Sequence, residues 1–516
     1  MSITTTFNKS NIKMLKDKLG KKSPGTVAHL VGDRISDNIN YPRWLSKYKA
    51  SEAELNYQKK KVFTHNPLIS IIVPTFNTPI NFLDEMIGSL RAQSYSSWEL
   101  CIADASGEGS ETREALKTYE AAFSINGFGV GSLKISYLKE NLGISGNTNE
   151  ALSLATGDYL AFLDHDDFIE PDCLFEVVKA INNTPTIDVL YTDEDKVMNG
   201  HFYYPNFKPA YNRLLLQSSN YIAHFFVVKK TIVDMIGGFD SACDGSQDYD
   251  FILRATNKAA HIYHISRILY HWRVHKDSVA IAPEQKQYCY DAAVLAINKL
   301  IKENDIRARA ECSENIGFYD TKYALPKDKK LEIIDFSSDL KKDIKTSAAD
   351  FIIIKGDAIS TISPKIEAFS KAYLNLPYIG AVSYKLFYEK KLQSFGATYF
   401  NDSVVGLFEG LHSDEGGFQN RALADLSLPL CSTDVFATKK ELLQEFMDVG
   451  NDFNDLPTFA VAFSIFIHSK KLEIAGIHRA YQRTDSKSIA KPSDRFIKEN
   501  SESLKKLSEL YRTMPY

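Results

Sequence analysis

The chain has 516 residues, enough for several domains with ample core. Its hydrophobic content of 44% and charged content of 24% are those of an ordinary globular protein, and a net charge of −4 gives no electrostatic reason to bind nucleic acid. No apolar run approaches the ~20 residues that span a bilayer. Lys9, Lys13, Lys16 and Lys18 interrupt the place where a leader's apolar stretch would lie, so no signal peptide is expected. The six cysteines (101, 173, 243, 289, 312 and 431) are scattered, which excludes a zinc-ribbon spacing and points to a reducing compartment. The expected location is cytoplasmic.

Residues 1–65 hold 13 Lys/Arg against 5 Asp/Glu. They form either a solvated arm or a weak attractor of anionic lipid headgroups, a peripheral contact at the inner face of the cell membrane. Residues 42–61 read as a helix in two pieces, with Ser51 and Glu54 as a capping box for the second. A buried strand is predicted over 68–74, leading into the loop Thr75-Phe76-Asn77-Thr78-Pro79 and a helix over 81–93. A second strand, 98–104, ends in Asp104 before Ala105-Ser106-Gly107. A charged helix over 111–122 and a third strand over 133–138 follow. The turn Asn141-Leu142-Gly143, with Asn149 beyond it, leads into a helix through Ala155. Such strand–helix alternation predicts a parallel doubly wound sheet.

The next strand is Tyr159-Leu160-Ala161-Phe162-Leu163, followed at once by Asp164-His165-Asp166-Asp167. Ligands of open α/β sheets bind at the carboxyl ends of strands. Carboxylates crowded there repel one another unless a cation compensates, and a divalent metal on a phosphate does so simply. The alternative is a strand end in which Asp167 caps the next helix. Further strands are expected at 189–195, with the acidic end Thr192-Asp193-Glu194-Asp195, and at 224–229. Gly237-Gly238-Phe239-Asp240 precedes Gly245-Ser246-Gln247-Asp248-Tyr249-Asp250, which opens a helix through Thr256. Strands at 261–264 and 268–273 close this half with His271-Trp272-Arg273 and His275.

These motifs, in this order over residues 67–275, resemble a family 2 glycosyltransferase with the GT-A fold, and in detail bacterial members that build surface polysaccharides such as O-antigen. The resemblance implies a nucleotide-sugar donor, a glycan or lipid-linked glycan acceptor and a Mn2+ or Mg2+ cofactor. Pro74, Thr75, Asn77, Asp104, Asn149, Asp164 and Asp166 would line the donor site, with Asp104 on the base or ribose. Asp166 and His271 would ligate the metal, His275 being the fallback and a packed histidine the alternative for His271. Asp248 would be the general base of an inverting transfer, with helix capping as its alternative and Asp250 as its rival. Asp193 and Asp195 would either contact the acceptor or sit in a solvated loop.

The C-terminal third repeats the first pattern weakly. Lys229-Lys230 aligns with Lys439-Lys440, and the same spacing sets 262–273 on 472–483; upstream, Asp158-Tyr159-Leu160-Ala161-Phe162 aligns with Asp350-Phe351-Ile352-Ile353-Ile354. The functional positions are lost: Asp164-His165-Asp166 becomes Gly356-Asp357-Ala358, Asp248 falls on Thr458 and His271 on Tyr481. Residues 331–337 could echo the Asp104 strand, but only 15 residues separate Asp335 from Asp350 where 54 separate Asp104 from Asp158, so the nucleotide-binding half is cut short. Asp357, Asp452 or Asp455 could restore a site at a shifted register. A helix is expected over 285–304, with Tyr288, Ala292, Leu295 and Ile301 near one face, and another over 496–511.

The expected architecture is α/β: an arm (1–66), a doubly wound, Rossmann-like mixed-sheet GT-A domain (67–280), a helical linker (281–330) and a degenerate GT-A-like domain (331–516). The expected enzyme is a hexosyl- or deoxyhexosyltransferase, in company with other polysaccharide-assembly enzymes. Two alternatives stay open: a sugar nucleotidyltransferase, which would want a Gly-rich basic loop where Thr75-Phe76-Asn77-Thr78-Pro79 stands, and a non-catalytic glycan-binding scaffold.

Overall fold

The structure, a computed structural model, describes residues 40–126, 131–275, 287–337, 339–413, 415–448, 453–487 and 489–509. The first sheet holds β1 (Ile69–Thr75), β2 (Trp98–Asp104), β3 (Ser132–Tyr137), β4 (Tyr159–Phe162), β5 (Phe168–Ile169), β6 (Val189–Met198), β7 (His201–Asn206), β8 (Phe226–Lys229) and β9 (Ile262–Arg273). Its order is β3-β2-β1-β4-β8-β6-β9-β5, with β7 hairpinned onto β6. The half β3-β2-β1-β4 is parallel, as the alternation predicts. β8 then runs antiparallel to both β4 and β6, so the sheet is mixed rather than wholly parallel. The two short strands expected at 261–264 and 268–273 are one strand, β9, which follows β6 in parallel through two register shifts.

Strand parity divides the core. Ile69, Ile71, Val73, Leu100 and Ile102 face one layer, and Ile72, Cys101 and Ala103 the other. Helix Ile80–Arg91 covers the first layer with Leu83, Met86, Ile87 and Leu90, an i, i+3, i+4, i+7 stripe. Each such side chain contributes roughly 1.5–3 kcal/mol on burial. Helix Cys173–Asn183 joins it, an element absent from the sequence expectations despite a buried stripe of Leu174, Val177, Val178 and Ile181. The second layer carries helix Gln247–Lys258 and helix Gln287–Glu303. In the latter, Cys289, Ala292, Ala293, Ala296, Ile297, Leu300 and Ile301 are buried, whereas Tyr288 and Leu295 are exposed, so the buried face is rotated from the expected one. Ser51 and Glu54 do form the capping box of helix Glu52–Lys60.

A hairpin, β10 (Ala308–Cys312) and β11 (Tyr319–Tyr323), leads to a second sheet. It contains β12 (Leu331–Asp335), β13 (Phe351–Lys355), β14 (Ile379–Tyr388) and β15 (Lys391–Phe395). After the small pair β16 (Ala397–Phe400) and β17 (Ser403–Gly406) come β18 (Leu426–Leu428), β19 (Val435–Lys439) and β20 (Glu473–Arg483). Its order is β12-β13-β19-β14-β20-β18, of which β12-β13-β19-β14-β20 repeats β1-β4-β8-β6-β9 with the same strand directions. The registers agree as well: Phe162 pairs with Phe226 and Ile354 with Phe436; Asp195 pairs with His271 and Lys385 with Tyr481. β12 therefore stands where β1 does, not where the Asp104 strand does, and counterparts of β2 and β3 are missing from this sheet among the described residues.

One hydrophobic cluster runs from the second layer of the first sheet (Ile72, Phe251, Ile297) into the second sheet (Ile352, Phe436, Phe463), so the two halves share a core. The expected last helix is broken into Asp494–Glu499 and Ser501–Glu509, and Tyr511 lies outside the described residues. No described helix is long and apolar enough to cross a membrane.

Candidate active site

The parallel register brings Thr75 opposite Asp104 and aligns both strand ends with the end of β4. Asp104 is fully buried. Its Oδ1 accepts from Thr75 Oγ1 at 3.1 Å and Ser106 Oγ at 2.6 Å, and its Oδ2 faces Arg113 Nε at 2.7 Å. Arg113 also donates to the carbonyls of Asp104 and Leu138. Asp104 is thus the anchor of this pocket floor, its carboxylate already committed inside the protein. Pro74 is buried in β1, and Asn77, in the left-handed region at φ 48°, donates its backbone N–H to Ser106 Oγ. Asn149 lies elsewhere in role: its amide clamps the backbone of Phe239 at both N–H (2.7 Å) and carbonyl (2.9 Å). A Cβ at position 238 would lie 2.2 Å from Asn149 Oδ1, which explains why the clamped loop needs Gly238.

Beyond β4, Asp164, Asp166 and Asp167 each place one carboxylate oxygen within 4.8 Å of the others. They are not equivalent. Asp167 is buried and committed: Tyr270 Oη donates to Oδ2 at 2.5 Å and the Arg273 backbone N–H to Oδ1 at 2.6 Å. Desolvation raises its carboxyl well above the usual range, and the charges of Asp166 and Asp164 push the same way. It braces the turn rather than capping a helix. Asp166 holds His275, whose Nε2 lies 2.7 Å from Oδ2, and its carbonyl accepts from Arg273 Nε. Asp164 has a side chain 54% exposed, with His224 Nε2 at 3.5 Å. The protein packed around it still weakens its solvation. That desolvation raises its carboxyl, with Asp166 and Asp248 adding to the effect and His224 opposing it. Asp248 therefore acts on the same small volume. It sits in the first turn of helix Gln247–Lys258, its Oδ2 accepting from Asn220 Nδ2 at 2.9 Å. Its rival Asp250 is buried in an ion pair with Arg254 at 2.7 Å, and Arg254 ties down the carbonyls of Ile236 and Gly238. Asp250 is a structural group.

His271 is not brought to the Asp164–Asp166 cluster. It is fully buried, Nδ1 lies 2.6 Å from Asp195 Oδ1, and Nε2 lies 2.7 Å from Glu170 Oε1. Burial opposes its charge, but Asp195 and Glu170 outweigh burial and raise it to about 9. An imidazolium that donates from both nitrogens has no lone pair for a cation. The histidine beside Asp166 is His275, just past the end of β9.

The acidic run on β6 is neither a solvated loop nor an acceptor surface. Asp193 accepts from the Lys208 backbone N–H at 2.8 Å and meets His264 Nε2 at 2.7 Å; Asp195 meets His271 and Tyr41. Glu194 faces Lys208 Nζ and His224 Nδ1, each at 3.3 Å. Burial opposes its ionisation, yet Lys208 and His224 bring its carboxyl down to about 2. His224, raised to about 9 against its own burial by Glu194 and Asp164, links this network to the cleft. It escapes a reading of the sequence because only the β4–β8 register sets it opposite Asp164.

In the second half, Gly356-Asp357 ends β13, Asp357 is exposed, and Asp455 caps helix Leu456–Ser469 by accepting from the Thr458 N–H at 2.7 Å. Asp452 lies outside the described residues. The segment after β20 closes over the strand ends: Thr484 Oγ1 and the Asp485 N–H donate to the Ala358 carbonyl, and the Ser493 N–H donates to Thr458 Oγ1.

Residues 70–237 match the sequence model of the family described as Glycosyl transferase family 2. An uncharacterized protein, y4gI, of Sinorhizobium fredii is 37% identical over 238 residues, 46% of this chain and 25% of that one. The O-antigen biosynthesis protein RfbC of Myxococcus xanthus is 28% identical over 264 residues, 50% of this chain and 20% of its own. The chain thus spans a quarter or less of the length of these two relatives. Among solved structures, S. aureus TarS 1-349 in complex with UDP-GlcNAc aligns at a TM-score of 0.37 and 22% identity, over 45% of this chain and 66% of that one.

Proposed function

Because the chain carries a family 2 glycosyl transferase domain, we propose that it is an inverting, metal-dependent glycosyltransferase of polysaccharide biosynthesis, moving a hexosyl or deoxyhexosyl unit from a nucleotide-sugar donor to a glycan, lipid-linked acceptor. Residues 67–280 would form the transfer domain and 331–516 its degenerate partner. The carrying observation is the cluster of Asp164 and Asp166 at the end of β4 with the charge of Asp248 acting on it from a helix N-terminus.

The donor set suits a divalent ion. Asp166 and His275 already touch, Asp164 is half exposed beside them, and carboxylate plus imidazole is a set that Mn2+ accepts readily and Mg2+ less so. When bound there, the ion would offset the negative charge of the departing diphosphate. Thr75, Asn77 and the Asp104–Arg113 anchor would shape the nucleoside side of the cleft. Asp248 would take the proton from the attacking acceptor hydroxyl. Asn220, hydrogen-bonded to Oδ2, orients the Asp248 carboxylate in the first turn of its helix. The basic segment 1–65 would hold the protein against anionic lipid at the cytoplasmic face, where a lipid-linked acceptor is presented.

The test is calorimetric titration of a panel of nucleotide sugars, with and without manganese, on the wild type and on Asp166→Ala. Binding of one donor that needs metal and disappears in the variant is expected. Turnover that persists in Asp166→Ala would remove the metal site from the mechanism, and binding without any turnover would favour the scaffold.

A further inference from the structure

A cavity of about 390 Å3 lies where the two halves meet. One wall is the C-terminal end of helix Gln247–Lys258, including Asn257, while Asp248 stands at the other end of that helix. Nine helical steps separate the two by about 14 Å along the axis. The remaining walls bring Arg213, Gln217 and Asn304 from the first half and linker together with Asn375 and Tyr378 from the second.

We propose that this cavity is a carbohydrate-binding site separate from the transfer cleft, taking one or two units of a neutral glycan. Only the ligand's class rests on the glycosyl-transfer function proposed above. The volume falls at the lower end of the ~300–1,000 Å3 typical of small-molecule sites. The chemistry is that of a polyol receptor. Gln217, Asn257, Asn304 and Asn375 supply carboxamides; Asn304 Nδ2 already donates to the Leu300 carbonyl, and an amide keeps a second N–H and a second lone pair for hydroxyls. Tyrosine rings offer apolar faces and edges to the C–H side of a pyranose.

The charge pattern narrows the class. Arg213 Nε is paired with Glu473 Oε1 at 3.1 Å, and its guanidinium lies 4.8 Å over the Tyr378 ring. That cation is already compensated, and Asp305 and Arg307 on the lining are of opposite sign. A phosphate or nucleotide would ask for an uncompensated cation, so a neutral sugar fits better. The site is also partly organised in advance: Tyr323 Oη donates to Gln217 Oε1 at 3.1 Å, which fixes that amide. Because both halves build it, the cavity gives the second half a task that needs none of the lost acids.

The experiment is saturation-transfer NMR on the full chain with cellobiose, chitobiose and maltose, run with excess UDP and manganese. Asn257→Trp and Asn375→Trp each push an indole into the cavity from a different wall, at positions that are half-buried and exposed respectively. At least one disaccharide should give transfer, reduced about tenfold in both variants and unchanged in Asp166→Ala. No transfer from any of the three would overturn the site. So would transfer that survives both Trp variants and is lost in Asp166→Ala, since that places the sugar in the cleft. Nucleotide-sugar hydrolysis is measured on the same samples; its absence alongside intact disaccharide binding would count against the transferase and leave this site standing.

Discussion

The two sheets share strand order and register yet differ at the positions where chemistry would sit. Where β4 is followed by Asp164-His165-Asp166, β13 is followed by Gly356-Asp357-Ala358. Where Asp195 faces His271, Lys385 stands opposite Tyr481. Where the cleft is open beside Asp164, the segment after β20 is hydrogen-bonded across the equivalent strand ends. The apolar strands survive in both because a sheet buried on both faces tolerates little but Val, Ile, Phe and their like. A carboxylate cluster, by contrast, costs stability unless something uses it. The comparison teaches that one strand order and register can carry quite different charges at its strand ends.

The largest break between the halves should come from Asp248. Asp248→Asn keeps the hydrogen-bonding shape but would remove the proposed base, so kcat should fall about a thousandfold while donor affinity stays within about twofold. Single-turnover transfer measured beside donor titration separates these. Normal turnover in the variant would return the residue to helix capping and erase its difference from Thr458, which stands in its place.

Much of this was legible beforehand, and the misses have a common cause. Buried runs such as Ile71-Ile72-Val73 announce strands, and acids at their ends announce a site. What a linear sequence does not carry is which way a side chain points once strands pair. His271 sits between Glu170 and Asp195 because β9 continues unbroken to Arg273 beside β6, whereas two short strands were expected. Likewise Asp193 and Asp195 read in sequence as either acceptor contacts or a solvated loop, because their partners, His264 and His271, lie on another element. Asn149 reads as a ligand contact until Gly238 is seen against it.

His271 offers the next sharpest contrast. His271→Phe leaves Glu170 and Asp195 facing a neutral ring, and a buried pair broken on one side costs about 3–5 kcal/mol. The sign with pH follows from a folded value of about 9, above the ordinary histidine value. Its stabilisation is complete below the unfolded value and fades as pH rises through about 9. Urea midpoints should therefore separate wild type from variant widely at pH 6 and much less at pH 9.5. A constant gap across that range would show that packing, not charge, holds the site. Across from Tyr481, the counterpart of His271, the second half places Lys385 where the first has Asp195, and that residue should behave in the opposite sense. Lys385 is buried, among the described residues has no carboxylate in ion-pair contact, and is pulled down to about 8 by burial. Such a lysine opposes folding below about pH 8, and the penalty eases as pH climbs toward its unfolded value. Lys385→Met should stabilise the protein by about 1–3 kcal/mol at pH 7, read as a raised urea midpoint.

The smallest expected effect is none at all. Asp357 is the one acid left at the end of β13, it is exposed, and its neighbours in the old motif are Gly356 and Ala358. A single carboxylate in water holds a divalent ion poorly, since such ions are gathered by several ligands at once. Asp357→Ala should leave donor affinity, its manganese dependence and turnover unchanged within error. A loss comparable to that of Asp166→Ala would mean that the second half binds donor after all. The hydrogen bonds to the Ala358 carbonyl and Thr458 Oγ1 would then have to open for the donor to enter, so in that case a Thr484→Ala variant, which removes one of them, should bind donor more tightly than wild type.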